Sequence, residues 1–299
     1  LAGWLGAAEA LVFSSGYLAN VGAVRALAAR PDTLLVSDAH NHASLIDGCR
    51  ISRAETTVYA HRDVAAAEAA LAAASAAGRP AVVVTESVFS VDGDLAPLGE
   101  LHAAARRHGA VLLVDDAHAL GVLGPSGSGA VAAAGLAGEP DLVVTATLSK
   151  ALGGAGGIVA APRPLIRELV DTGRTFIFDT ALPPALAAGV TAAQRLASGV
   201  VGDALRGEVR ARAATIVARL RTTGLAVSEP DAAVVSVEAP GPETAVAWAA
   251  DCLDRGVAVG CFRPPATPDG RSRLRLTVNA GVSRVDFARA LAVVAECAP

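Results

Sequence analysis

Short blocks of apolar, β-prone residues alternating with longer stretches of helical period limit the folds open to this chain more than any other feature. Thr33–Val36, Ala81–Thr85, Val111–Val114 and Leu142–Thr145 are blocky rather than polar–apolar alternating, as expected of strands buried on both faces. Between them, Gly16–Ala29, Val64–Ala77 and Pro97–His108 repeat apolar residues at helical spacing. Pro97 suits a first helical turn, and Gly109 just beyond His108 suits a helix stop. Strand–helix alternation of this kind predicts an α/β fold, a large and mostly parallel sheet covered by helices on both faces. After about Pro183 the pattern changes. Helical stretches at Pro184–Ser198 and Asp203–Leu220 lead to strands near Ala232–Val237 and Arg273–Val278, with helices at Thr244–Arg255 and Arg284–Cys297. The expected division is a large domain over residues 1–197 and a smaller C-terminal α+β domain over 198–299.

Composition removes several classes of function. A hydrophobic content of 53% with 18% charged residues excludes a disordered chain. The formal net charge is −4 with no arginine-rich run, which argues against nucleic acid or an anionic membrane as partner. No apolar run approaches the roughly 18 residues of a membrane span, and the N-terminus lacks a signal-peptide pattern. Cys49, Cys252, Cys261 and Cys297 form no CxxC pair and no zinc spacing, so they read as thiols of a reducing compartment, and a cytoplasmic protein is expected. The 25 basic residues are 24 arginines and one lysine, Lys150. Where arginine supplies nearly all positive charge, a retained lysine is a candidate for what arginine cannot do: lose a proton and attack a carbonyl.

In an open α/β sheet, ligands bind beyond the carboxyl ends of the strands, so the polar residues that follow the apolar blocks come next. Asp115-Asp116-Ala117-His118 follows one block, Glu86 to Asp94 another, and Thr145 to Lys150, leading into Gly153-Gly154-Ala155-Gly156-Gly157, a third. A lysine in a glycine-rich loop with a strand-end carboxylate suits pyridoxal phosphate: the amine captures the aldehyde, and the carboxylate keeps the ring nitrogen protonated. Ser14-Ser15-Gly16-Tyr17 before a helix, and Thr147, can offer hydroxyls and N–H groups to a phosphate. Taken singly, Asp115 could be a helix cap and His118 a structural histidine. His40 and His42 lack a third ligand at motif spacing, so no metal is expected. The glycine run lacks the GxGxxG spacing, no P-loop is present, and His61-Arg62-Asp63 has no companion kinase motifs.

The blocks also resemble a known family. Ser-Ser-Gly-Tyr-Leu-Ala-Asn at 14–20, Asp-Ala-His-Asn-His-Ala-Ser-Leu at 38–45 and Thr-Glu-Ser-Val-Phe-Ser-Val-Asp-Gly-Asp at 85–94 come first. Val-Asp-Asp-Ala-His at 114–118, Thr-Leu-Ser-Lys-Ala-Leu-Gly-Gly at 147–154, Arg-Pro-Pro-Ala-Thr-Pro at 263–268 and Arg-Leu-Arg-Leu-Thr at 273–277 follow in order. Together they resemble the α-oxoamine synthases, pyridoxal-phosphate enzymes of fold type I, and most closely the alanine-using branch of biotin biosynthesis. The resemblance implies that Lys150 holds the cofactor, Asp115 pairs with the pyridinium nitrogen, His118 with the phenolic oxygen, and His42 stacks on the ring. It implies phosphate contacts from Gly16, Tyr17 and Thr147, and a site lined by Glu86 and Ser90. Thr180 would reach the phosphate of a neighbouring subunit, implying a homodimer with shared active sites. Arg275 would clamp the substrate carboxylate. The implied reaction is a decarboxylative condensation of L-alanine with a pimeloyl thioester, carried on CoA or on acyl carrier protein.

Two departures qualify the resemblance. Family members carry a further N-terminal segment that contributes to the pocket and the dimer contact, and this chain begins at Leu1 without Met. It therefore reads as a piece that would bind cofactor yet turn over poorly as it stands. Ala119 also occupies a position that is often glycine. Rival readings are glycine-using members making 2-amino-3-oxobutyrate, 5-aminolevulinate or sphingoid bases, a catalytically silent cofactor-binding homologue, and an aminotransferase.

Overall fold

The computed structural model describes residues 1–267 and 269–299; Pro268, which ends the Arg-Pro-Pro-Ala-Thr-Pro block, lies outside the described residues. The chain divides into two compact units, one of Leu1–Val88 with Ala96–Asp203 and one of Phe89–Leu95 with Ala204–Pro299.

The first unit is built on strands β1 (Glu9–Phe13), β2 (Leu34–Asp38), β3 (Glu55–Tyr59), β4 (Ala81–Glu86), β5 (Val111–Asp115), β6 (Leu142–Thr147) and β7 (Gly157–Ala161). Their order across the sheet is β1-β7-β6-β5-β4-β2-β3. From β3 to β6 all neighbours run parallel, while β7 is antiparallel to both β6 and β1. The expected mostly parallel sheet is thus present, with an antiparallel pair at one edge.

Every residue of β2, β4, β6 and β7 is buried, and in β2, β4 and β6 this burial is what makes the sequence read as apolar blocks. Successive side chains point to opposite faces. Val82, Val84 and Leu113 share a core with Val24, Leu45 and Leu169 from the helices Gly16–Leu27, Ala43–Ser52 and Arg163–Thr172. The intervening Val83 and Leu112 are equally buried outside that core, and Val64–Ala76 and Leu98–Arg107 pack on β4, with Leu71 and Leu101 buried.

Helix starts follow local chemistry. Ser15 Oγ accepts from Leu18 N at 3.2 Å, and Asp63 Oδ1 accepts from Ala66 N at 2.9 Å, each satisfying a first-turn donor. Pro97 sits at the N-cap of Leu98–Arg107, and Gly109 follows the C-cap with φ of 65°.

One loop position is tightly determined. Gly129 has φ of +103°, and a Cβ there would lie 1.7 Å from Asp116 Oδ2. Gly129→Ala is therefore expected to cost about 2–4 kcal/mol, read as a lower urea midpoint with an unchanged slope.

The second unit carries a three-stranded antiparallel sheet of β8 (Val234–Ala239), β9 (Gly260–Phe262) and β10 (Ser272–Thr277) in the order β8-β10-β9. Its core joins Ile216 and Leu220 with Trp248, Leu274 and Val294, and Trp248 Nε1 donates to the Val294 carbonyl at 3.0 Å. Phe89–Leu95 enters this unit from far earlier in the chain. Among the described residues, no helix is long and apolar enough to cross a membrane.

Candidate active site

The parallel register sets the ends of β4 and β5 level with Thr145, two residues before the end of β6. Glu86 pairs with Asp115 between β4 and β5, and Asp115 with Thr145 between β5 and β6. Polar groups separated widely in sequence therefore meet on one edge of the first unit's sheet, where ligands bind in such folds.

Asp115 is buried, at 6% exposure, and its carboxylate is fixed from two sides. Oδ2 accepts from Asn20 Nδ2 at 2.7 Å and Oδ1 from the Ala117 N–H at 3.0 Å. Asp116, next in sequence and fully buried, instead accepts from the Ala130 N–H at 3.2 Å. Burial, with a further contribution from the Asp115 charge, pushes its carboxyl up to about 6.

The raised value has a definite sign for stability. The folded chain holds this proton more tightly than the unfolded one. The resulting stability is present below about pH 4 and is lost as pH rises through about 6. Asp116→Asn is expected to flatten the melting temperature between pH 4 and pH 7, with its gain over the parent largest at the upper end.

Lys150 stands in a closed turn after β6. Leu148 N donates to Gly156 O at 2.9 Å, Gly154 N to Leu148 O at 3.0 Å, and Gly153 N to Lys150 O at 3.0 Å. The lysine side chain is exposed. Thr147 Oγ1 lies 2.8 Å from Ser149 Oγ and 3.1 Å from the Gly156 carbonyl. Gly16 opens the Gly16–Leu27 helix so close to this turn that a Cβ would sit 3.0 Å from Thr147 Cβ. The Gly16 and Tyr17 N–H groups, at the start of that helix, have no intrahelical acceptor. Hydroxyl and helix N-terminus thus form one anion-receptive edge.

The remaining first-unit candidates are placed as follows. His42 caps Ala43–Ser52, with Nδ1 2.7 Å from Ser44 Oγ and 3.2 Å from the Ser44 N–H. His118 is half-buried on the loop after β5, and Glu86 is buried at the end of β4. Tyr17 is 43% exposed, and its hydroxyl donates to Asp47 Oδ2 at 2.7 Å, an anionic neighbour that holds the phenol above its ordinary range. Thr180 is exposed beside Asp179, whose Oδ1 accepts its N–H at 2.8 Å. Ala119 is buried and is not among the residues of positive φ, so a methyl group is tolerated there.

Ser90 and Arg275 belong to the second unit. Arg275, on β10, donates from Nη1 to the Ser90 carbonyl at 2.7 Å and lies 4.9 Å from the Phe262 ring centre. His40 stacks on His61 with centroids 3.9 Å apart, and His61 Nδ1 is 2.9 Å from Asp38 Oδ1.

Asn20, Ser44 and Thr145 are polar, buried members of this site that the sequence reading did not single out. A clue lay in the pattern, because Asn20 interrupts the apolar face of its helix between Ala19 and Val21, both buried.

Two other places invite chemistry and lack the means for it. A cleft of about 700 Å³ lined by Arg25, Arg53 and Arg174 contains none of these site residues, and its Thr172 hydroxyl, 3.0 Å from Glu168 Oε1, is also held by the Glu168 carbonyl on an exposed helix turn. His102, Glu139 and Asp141 approach one another, but Arg106 already pairs with Glu139 at 2.7 Å and Asp141 at 3.5 Å. The guanidinium already supplies the positive charge that both carboxylates call for.

The residues around Lys150 fit a phosphorylated, aldehyde-bearing pyridine. They offer an amine, a buried carboxylate aligned by two donors, and a helix N-terminus with a hydroxyl against it.

Comparison with known proteins agrees. The profile of the aminotransferase class I and II family matches residues 1–294. The 8-amino-7-oxononanoate synthase of Mycolicibacterium smegmatis is 54% identical over 297 residues, covering 99% of this chain and 75% of that protein. Its counterpart in Mycobacterium tuberculosis is 52% identical over 296 residues, covering 99% and 74%. A variant of serine palmitoyltransferase from S. paucimobilis, solved with a bound PLP–myriocin aldimine, superposes with a TM-score of 0.90 at 33% identity, over 99% of this chain and 73% of that one. This chain belongs to the aminotransferase class I and II family and, within it, to the α-oxoamine synthases, acyltransferases that work with pyridoxal 5′-phosphate.

Proposed function

We propose that the protein condenses L-alanine with a pimeloyl thioester to give 8-amino-7-oxononanoate, a step of biotin formation. The observation that carries this reading is the 54% identity, over 99% of the chain, to a protein of that name.

In the balance of the reaction, a proton leaves Cα of alanine and a carbon–carbon bond forms to the acyl carbon. The thiol departs, the bond to the carboxylate breaks with release of carbon dioxide, and a proton returns to Cα. The cofactor supplies the electron sink for the Cα electrons. Lys150 is the amine that would hold the cofactor through its aldehyde and would carry the Cα proton. Asp115 would place its charge at the ring nitrogen, His118 would bind the phenolic oxygen, and His42 would pack on the ring. Gly16, Tyr17 and Thr147 would hold the phosphate, with Glu86 and Ser90 lining the site. Arg275 holds the substrate carboxylate, for which a planar guanidinium is suited. Thr180 would reach the phosphate of a second copy, making the working unit a homodimer, and the four free cysteines suit a reducing, cytoplasmic location.

The test offers alanine or glycine with pimeloyl, acetyl and succinyl thioesters, on CoA and on acyl carrier protein, and identifies products by mass. The expected product is 8-amino-7-oxononanoate, from alanine and the pimeloyl thioester alone. Product only from glycine and acetyl-CoA would make it a glycine C-acetyltransferase. Amino-group exchange without a new carbon–carbon bond would make it an aminotransferase, and no turnover a silent cofactor-binding homologue.

A further inference from the structure

We propose that Asn20 and Ser44 are positioning residues that link the Asp115 carboxylate to His42 and fix the His42 ring as its neutral tautomer, protonated on Nε2. The proposal rests on the reading above, in which Asp115 and His42 both address the cofactor ring.

Donors and acceptors along the chain of contacts can be assigned one by one. Asn20 is 3% exposed, and its Nδ2 lies 2.7 Å from Asp115 Oδ2 and 2.8 Å from Ser44 Oγ. A carboxylate only accepts, so the amide must turn its NH₂ to Asp115. Its Oδ1 then faces Thr145, whose hydroxyl donates to it. Both N–H bonds of the amide are used, one to Asp115 and one to Ser44.

Ser44 therefore accepts from Asn20, and its own hydroxyl proton is directed to its other neighbour, His42 Nδ1 at 2.7 Å. The Ser44 backbone N–H points at the same nitrogen from 3.2 Å. A ring nitrogen facing two donors must present its lone pair, which places the ring proton on Nε2. An imidazolium would set an N–H against an O–H and an N–H, and so is disfavoured. All of these contacts lie within the first unit.

The consequence for chemistry is electrostatic. A second cation stacked on a protonated pyridine would oppose the charge that Asp115 is placed to favour. A neutral His42 offers a flat apolar face without that penalty. Asn20 thus serves two residues with one amide, aligning the carboxylate and setting the histidine's protonation pattern.

The test is ring-nitrogen NMR on protein labelled with ¹⁵N-histidine, with and without pyridoxal phosphate, the His42 signals being assigned by their loss in His42→Gln. The expected spectrum shows Nδ1 of His42 unprotonated and Nε2 protonated at neutral pH, already in the cofactor-free protein. Ser44→Ala should shift both resonances toward a tautomer mixture, and Asn20→Ala should do the same, with circular dichroism confirming the fold. In the loaded enzyme both substitutions should lower kcat on the order of tenfold, as for other loosened supporting hydrogen bonds, with a smaller change in KM.

An Nδ1-protonated or doubly protonated His42 in the parent protein would overturn the proposal. So would resonances unmoved by Ser44→Ala. Because the tautomer is read without substrate, a failed condensation assay with the predicted spectrum would count against the proposed reaction alone.

Discussion

Replacing Lys150 with alanine is expected to end covalent capture of pyridoxal phosphate and to lower turnover by at least about 10³-fold, or roughly 4 kcal/mol of barrier. Lys150→Arg should fare no better, because a guanidinium keeps its proton and is a poor nucleophile at a carbonyl. The composition makes the experiment unusually clean. Lys150 is the one lysine in the chain, set among 24 arginines, so borohydride treatment of the cofactor-loaded protein should leave pyridoxyl on a single lysine side chain. Because Lys150 is exposed on the turn from Thr147 to Gly156, neither variant removes buried packing, and equal melting temperatures would confirm an intact fold. Cofactor fixed by borohydride to the alanine variant, together with retained activity, would remove Lys150 from the mechanism.

The strands that could be read from sequence are those at the centre of the sheet. β2, β4 and β6 are buried along their whole length, and β5 at all but its first residue, so the burial was written as uninterrupted apolar blocks. β1 and β3 are edge strands with mixed exposure, and Glu55-Thr56-Thr57-Val58-Tyr59 carries neither a block nor a clean alternation. β7 is fully buried but directly follows the glycine run, whose loop character masks the start of the strand. Ala43–Ser52 was missed for a different reason: its cap is His42, outside the Ser, Thr, Asp and Asn set that marks a helix start.

The candidate site was legible where chemistry is carried by residue type, and hidden where it is carried by fold. Lys150 stood out by rarity, and Asp115 by following an apolar block. Asn20 could not be connected with Asp115 in the same way, since their hydrogen bond spans 95 residues and depends on the helix Gly16–Leu27 packing against the sheet. The contact of Arg275 with the Ser90 carbonyl spans 185 residues. It exists because Phe89–Leu95 joins the second unit, which no local pattern announces.

Asp115→Asn is expected to lower kcat by about 10²- to 10³-fold, the range for losing one preorganised electrostatic partner in a protected site. Asparagine nearly preserves shape and volume, so the loss reports charge and hydrogen-bond polarity. The two carboxylate oxygens accept from Asn20 Nδ2 at 2.7 Å and from the Ala117 N–H at 3.0 Å. An amide can accept at only one of these positions and must set its NH₂ against a donor at the other. The variant should therefore also lose about 1–3 kcal/mol of stability, the cost of an unsatisfied buried donor. Asp115→Glu keeps the charge but must fit an extra methylene into a buried position, and is expected to retain more activity than the amide. Asp116→Asn is the internal control, because its neighbouring carboxyl is buried against Ala130 rather than held by Asn20. It should change the pH dependence of melting while leaving kcat near that of the parent. If the two asparagine variants lose activity equally, the charge at Asp115 is not what the reaction requires, and removal of either carboxyl damages the strand end as a whole.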